Sequence, residues 1–392
     1  MHSMPKITTV QGREVLDSRG NPTVEAIVEV DGKISATAFA PSGASIGKYE
    51  AHELRDRDDK RYHGKGVLQA VANVNDDIAA GILGKDVSKQ QEIDERMIEL
   101  DGTARKEKLG ANAILAVSLA CARVAARAQD LPLHNYVAEL TGNKNQVMPV
   151  GWYNVINGGE HARNGLAVQE FQLIPAAAPN FAESLRMVSE IYWQLGNLLD
   201  EMGIAGLGDE GGYAGSYSPK LDTTEEALNV MLHACEQAGF EPGEDIWFGL
   251  DPAATEFYDE ESDTYRLDGG ELSATDLAET YASWTGRYPL INIEDPFAED
   301  DWGSWTKFLA SQGGHLQIVA DDLLATNIAR IKKAVKQQAA NALLVKVNQI
   351  GTLSEAIEAI RLAQDAGWQT VISHRSGDTE DTFIADLAVG TG

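Results

Sequence analysis

Three apolar runs near the end of the chain each stop at a group capable of chemistry. Residues 316–320 run into Asp321-Asp322, residues 342–345 into Lys346, and residues 369–372 into Ser373-His374-Arg375-Ser376. Segments with a helical period, 326–338 and 352–366, separate them. Alternating buried strand and amphipathic helix predicts parallel βα units. In a closed barrel of such units, groups at strand ends share one face. From Val147 onward, eight strand-like runs can be counted, at 147–156, 168–174, 204–208, 246–250, 290–293, 316–320, 342–347 and 369–372. That is the number a β/α barrel needs. Only a loop separates the first two, so that pair departs from strict βα alternation. Helical patterns such as 181–202 and 223–238 separate most of the others.

The first part of the chain has a different rhythm. Residues 5–40 read as a β-meander, in which Val24, Ala26, Val28 and Val30 alternate onto one face and Asp31-Gly32 marks a hairpin turn before 33–39. The small, glycine-rich stretch 41–47 reads either as a flexible connection or as a lid. Helical patterns follow at 67–83, 89–100 and 111–128, the third apolar on most of its faces and therefore buried. The polar stretch 141–145 marks a boundary. The predicted fold class is α/β: an N-terminal α+β domain over residues 1–140, then a modified TIM-like β/α barrel over 145–392.

Composition changes this picture in three ways. The net charge of −28 argues against nucleic acid and anionic membranes as partners. It also means that an anionic substrate must meet local cations. Cys121 and Cys235 both fall in apolar helical segments and read as reduced core thiols, consistent with a cytoplasmic protein. No signal peptide is visible, and no stretch is expected to reach the roughly 18 apolar residues of a membrane helix.

The strand ends carry the candidate chemistry. Asp251, Glu294 and Asp321 each follow a buried run. Taken singly, each reads equally well as a helix N-cap. Three on neighbouring strands repel one another unless a cation lies between them. Oxygen ligands without clustered cysteines favour Mg²⁺ over Zn²⁺, and Asp295 or Asp322 could stand in for one of the three. Lys346, past the centre of an apolar run, reads as a general base whose pKa burial or nearby cations would depress. Glu210, among glycines, and Glu170, flanked by apolar residues, are candidate acids; a polar turn and a solvent-facing strand residue are their bland alternatives. His161 and His374 read as either structural or catalytic. Arg375-Ser376 has the chemistry of a phosphate clamp.

With these residues in view the chain resembles the enolase family. The matching stretches are Arg13-Glu-Val-Leu-Asp-Ser-Arg-Gly-Asn-Pro-Thr23, Pro41-Ser-Gly-Ala-Ser45, Leu109-Gly-Ala-Asn-Ala-Ile114, Ile156-Asn-Gly-Gly159, Gly208-Asp-Glu-Gly-Gly212, Ile293-Glu-Asp-Pro-Phe297, Leu344-Val-Lys-Val-Asn-Gln-Ile-Gly351 and Ser373-His-Arg-Ser-Gly377. Lysine or histidine bases beside Mg²⁺-stabilised ene-diolates are the known pattern of that superfamily. The resemblance implies a barrel with a ββαα start and a homodimer or larger homo-oligomer. It implies reversible dehydration of 2-phosphoglycerate to phosphoenolpyruvate, in glycolysis, with two Mg²⁺ per site, the second arriving with substrate. Asp251, Glu294 and Asp321 would hold the first ion and Ser45 would bind the second. Lys346 would remove the C2 proton, and Glu210 would act as acid on the C3 hydroxyl with Glu170 assisting. His161, His374 and Gln169 would contact substrate, and Arg375 and Ser376 its phosphate.

Two departures stand out. Ile46 occupies a position where the family commonly has threonine. The family also continues past Ala388-Val389-Gly390 into a segment carrying another active-site lysine, whereas this sequence stops at Gly392. Competing expectations are therefore another acid-sugar dehydratase of the superfamily, or a non-catalytic binding or structural protein on the same scaffold. A role at the cell surface is a further expectation that the sequence leaves open.

Overall fold

The computed structural model describes residues 5–43, 47–162, 164–204, 206–215 and 221–392. Strands β1 (Ile7–Leu16), β2 (Pro22–Val30) and β3 (Ile34–Phe39) form the antiparallel meander. Val30 pairs with Ile34, and both Asp31 and Gly32 in the loop between them adopt positive φ, 51° and 64°. The alternating face of β2 is buried against α2 (Ala111–Ala128), which follows α1 (Gln90–Asp101) and precedes α3 (Leu133–Thr141). The 67–83 pattern forms a continuous helical stretch, but with a π turn at Val74–Ile78 between Leu68–Asn73 and Ala79–Ile82.

One expectation needs correction here. By length and composition alone α2 is apolar enough to cross a membrane. Asn112, Ser118, Arg123 and Arg127 interrupt its apolar run, so no unbroken apolar stretch of that length stands in the sequence. Fifteen of its residues are buried inside the chain, which makes it the central helix of this unit. Cys121 lies within it, and both cysteines are buried and free.

The second unit is a curled seven-stranded sheet with helices outside. Its strands are β4 (Tyr153–Asn157), β5 (Glu170–Ile174), β6 (Trp247–Asp251), β10 (Leu290–Glu294), β11 (Gln317–Ala320), β12 (Ala342–Val345) and β13 (Gln369–Ile372), adjacent in that order. β5 is antiparallel to both β4 and β6, and the remaining pairs are parallel. The helices are α4 (Phe181–Glu201), α5 (Thr224–Gln237), α6 (Ala274–Arg287), α7 (Trp302–Gln312), α8 (Ile328–Gln337), α9 (Leu353–Asp365) and α10 (Phe383–Thr391). The order β4-β5-α4-α5 is the ββαα start. A small sheet of β7 (Tyr258–Asp259), β8 (Thr264–Leu267) and β9 (Gly270–Leu272) follows β6.

The eight-strand count falls by one among the described residues. The run 204–208 forms no strand: Gly206 takes φ 115°, and Leu207 makes only an isolated bridge to Tyr213. Apolar content alone had suggested a strand there. Residues 147–152 likewise precede rather than join β4, and Val147, Met148 and Val150 are exposed.

The two units are joined by a polar junction. Asp94 Oδ2 accepts the Ser354 N–H at 3.0 Å and its hydroxyl at 2.6 Å, at the first turn of α9. Ser118 Oγ accepts the Leu353 N–H at 3.0 Å. Buried Lys106 pairs with Glu355 at 3.0 Å, and Arg123 pairs with Asp381.

Candidate active site

The sheet brings the predicted chemical groups to one end. β6 ends at Asp251 and β10 at Glu294, Asp321 follows β11, and Lys346 follows β12. His374 and Arg375 lie just beyond β13. β5 runs the opposite way, so the residue it presents at this end is its first, Glu170, directly opposite Asp251 in register. Glu210 arrives on a turn outside the sheet. That turn is pinned to β4 by Tyr213, whose N–H donates to Val155 O at 2.8 Å and whose carbonyl accepts the Asn157 N–H at 2.9 Å. Together these side chains line a cavity of about 890 Å³. Ser45 lies outside the described residues.

The acids are buried and crowded. Asp251, Glu294 and Asp321 are 3%, 5% and 5% exposed. Burial first, then the charge of Asp321, pushes Asp251 up to about 7 against the pull of Lys346. Burial and the charges of Asp251 and Asp321 hold Glu294 well above the carboxylate range. The Lys346 ammonium pairs with Asp321 Oδ2, and Gln349 Nε2 donates to Asp321 Oδ1 at 2.8 Å. Burial acts to lower the Lys346 pKa, but the nearby charges of Asp321 and Glu294 outweigh it and raise the value. The depressed lysine expected from burial alone is therefore not found in the chain by itself; the carboxylates reverse the sign.

Asp295, Asp321 and Asp322 offer oxygens within 4.8 Å of one another. Asp295, however, has both oxygens engaged: they accept the backbone N–H groups of Asp321 at 3.0 Å and Asp322 at 2.7 Å. It acts as a clamp that fixes the start of the loop after β11. The donor set suits a hard divalent cation: oxygen donors only, mutually repelling, and buried where bulk water does not screen them.

Across the cavity is a second group. His161 Nδ1 lies 3.6 Å from Glu170 and 3.5 Å from Glu210. His374 Nε2 lies 3.5 Å from the other oxygen of Glu210. Asn154 Nδ2 donates to Glu210 at 2.9 Å, and Gln172 Nε2 to Glu170 at 3.0 Å. Burial and the charge of Glu210 raise Glu170 well above its ordinary value. Glu210 moves the other way: burial opposes ionisation, but hydrogen bonding to His374 and the charges of both histidines prevail. The two neighbouring acids are thus pushed apart, Glu170 up and Glu210 down. A general acid is expected to have a raised pKa; at Glu210 the histidines overturn that. Burial lowers His161, while Glu210 raises His374 against burial.

Arg375 and Ser376 are 6% exposed. The Arg375 guanidinium meets Glu50 at 3.2 Å and Asn348 Oδ1 at 3.0 Å, and Ser376 Oγ accepts from Arg19 at 3.3 Å. Gln169, expected at substrate, donates to Asp251 Oδ2 at 3.1 Å. Several residues of this network carried no sequence reading of their own, Gln349, Asn154 and Glu50 among them. Gln349 was visible only inside the stretch Lys346-Val-Asn-Gln349, and Asn154 as an unremarkable polar residue on β4. Glu50 had no motif; only its position just after the 41–47 stretch hinted at it.

A curled β/α sheet whose end gathers a carboxylate-paired lysine and two neighbouring glutamates in one cavity has the architecture of a β/α-barrel enzyme. Residues 7–137 match the enolase N-terminal domain, and residues 145–392 match the enolase C-terminal TIM barrel domain. The enolase of Corynebacterium kroppenstedtii is 50% identical over 387 residues, covering 98% of this chain and 89% of that protein. The chain belongs to the enolase family and is a hydro-lyase.

Proposed function

We propose that the chain dehydrates 2-phospho-D-glycerate reversibly to phosphoenolpyruvate, with residues 145–392 as the catalytic domain and residues 1–140 covering it. The observation that carries the reading is the placement of Lys346 and the Glu170–Glu210 pair on opposite walls of one cavity. Lys346 Nζ, as the free amine, takes the C2 proton. The Glu170–Glu210 pair gives its proton to the departing C3 hydroxyl, which leaves as water, and the C2–C3 double bond forms. Passing the proton from Glu170 to the hydroxyl through Glu210 fits the opposed pKa shifts of the two acids. His374 and His161 face different oxygens of Glu210 and hold it in the charged form between turnovers. Arg375 and Ser376 bind the phosphate, and the Arg375 guanidinium supplies the local positive charge that a chain of net charge −28 needs there.

Asp251, Glu294 and Asp321 would hold Mg²⁺, and Ser45 would bind a second ion. Bound Mg²⁺ neutralises charge developing on the substrate carboxylate. Were Asp321 so engaged, the Lys346 ammonium would lose its partner, and the free amine needed at C2 would be favoured. Gln349 keeps Asp321 oriented, and Asp295 holds its backbone. The reading extends to a cytoplasmic, glycolytic homodimer or larger homo-oligomer, and family membership is its support. Absorbance of phosphoenolpyruvate, followed with 2-phosphoglycerate in Mg²⁺ and in chelator, tests the proposal. Turnover of a non-phosphorylated acid sugar in place of 2-phosphoglycerate would overturn it.

A further inference from the structure

We infer that Tyr192, on the outer helix α4, is a positioning residue for the turn that carries Glu210. The inference rests on the reading of Glu210 as part of the acid pair. Glu210 lies within a five-residue turn, Gly208-Asp209-Glu210-Gly211-Gly212, closed by the Gly208 N–H donating to Gly212 O at 2.8 Å and the Gly211 N–H donating to Gly208 O at 3.1 Å. Three glycines leave such a turn few side chains with which to hold itself. On its inner side it is tied to β4 through the backbone of Tyr213. On its outer side the Tyr192 hydroxyl donates to Gly211 O at 2.7 Å.

The same two tyrosines make a second tie. Their rings stack with centroids 4.5 Å apart and planes 22° apart, and the Tyr213 hydroxyl donates to Tyr192 O at 3.3 Å. The stack lies flat on α4 because residue 196 is glycine. A Cβ there would collide with the Tyr213 hydroxyl and ring carbon. The carbonyl that Tyr192 holds belongs to the residue directly after Glu210, so freedom at Gly211 becomes freedom of the Glu210 carboxylate. That carboxylate must keep contact with Asn154, His161, His374 and Glu170 at once. Tyr192 touches none of the reacting groups and acts only through the turn.

The test is a cycle of Tyr192→Phe, Glu210→Gln and the double variant, each assayed for turnover and for exchange of the substrate C2 proton with solvent. Loss of one hydrogen bond is expected to lower kcat of Tyr192→Phe about fivefold, with KM and C2 exchange at parent levels. The double variant is expected to be no slower than Glu210→Gln alone. Equal falls in turnover and C2 exchange, parent-level kcat, or losses that multiply in the double variant would overturn the inference. Amide hydrogen exchange over 206–215 supplies a readout that does not depend on the acid-pair reading: Tyr192→Phe should exchange faster there, with the rest of the chain unchanged. If Glu210→Gln turns over normally while this local exchange still rises, the acid-pair reading falls and the positioning role stands. If the local exchange does not rise, the positioning role falls. Gly196→Ala, which displaces Tyr213, should give the same local signature.

Discussion

The Glu50 carboxylate reaches from the N-terminal unit to both terminal nitrogens of the buried Arg375 guanidinium, at 3.2 and 3.4 Å. Glu50 also accepts weakly from Gln349, 3.4 Å away, and that same amide holds Asp321. One carboxylate thus links the anion-binding arginine to the group that pairs with the lysine. Glu50→Gln removes one of the carboxylates that face a buried cation, and breaking a buried ion pair typically costs about 3–5 kcal/mol. The expected result is a lower Tm and a raised KM for substrate. Added inorganic phosphate should recover more Tm in the variant than in the parent, because phosphate then replaces the missing charge. Equal recovery in both would separate Arg375 from anion binding.

The acids make stability depend on pH in a direction that metal should reverse. Asp251 sits at about 7 in the folded chain, against an ordinary 3.8. The folded state therefore holds this proton more tightly than the unfolded state does. Below about pH 4 both are protonated and the group costs nothing. The cost grows as pH rises toward about 7, reaching about 4 kcal/mol, and then stays level. Thermal melts in chelator should show stability falling across that window. The Tm gain from Mg²⁺ should be larger at about pH 8 than at about pH 5.5, since protons compete with the cation for the same oxygens. A Tm gain independent of pH, or one that persists in Asp321→Ala, would count against this site as the metal site.

Lys346→Ala and Glu210→Gln should separate the two halves of the reaction. Removing the base is expected to lower kcat by about 10²–10⁴-fold and to stop exchange of the C2 proton with deuterated solvent. Glu210→Gln should block loss of the hydroxyl while C2 exchange continues. Parent-rate exchange in Lys346→Ala would assign proton abstraction to another group.

At the junction, Asp94→Ala removes the acceptor for both the Ser354 N–H and the Ser354 hydroxyl. Leaving buried donors unmatched costs about 1–3 kcal/mol each. Equilibrium urea unfolding should report a loss in that range. Because burial raises the Asp94 pKa, the parent loses stability through this group as pH rises above about 4, and Asp94→Ala should lack that component.

The sequence exposed whatever depended on periodicity or on a strand end. The alternation in β2, the βα rhythm from Asp251 to Arg375 and the clustering of Asp251, Glu294, Asp321 and Lys346 all follow from strand ends sharing a face. What stayed hidden depended on tertiary contact. The run 204–208 has the apolar content of a strand, but Gly206 turns it. The lysine pKa goes up because Asp321 and Glu294 come near it, and no local pattern encodes that. Glu50 and Arg375 are 325 residues apart, far beyond the reach of any motif.

That separation has a consequence for how the protein is made. The meander and α2 leave the ribosome early and can close around their own core. Glu50 belongs to this early part, yet its countercharge lies just beyond β13, among the later residues to be translated. Until β13 emerges, the nascent chain lacks Arg375, and Glu50 cannot make the ion pair that ties the two units together here. This tie between the units therefore forms only late in translation, after both have been made.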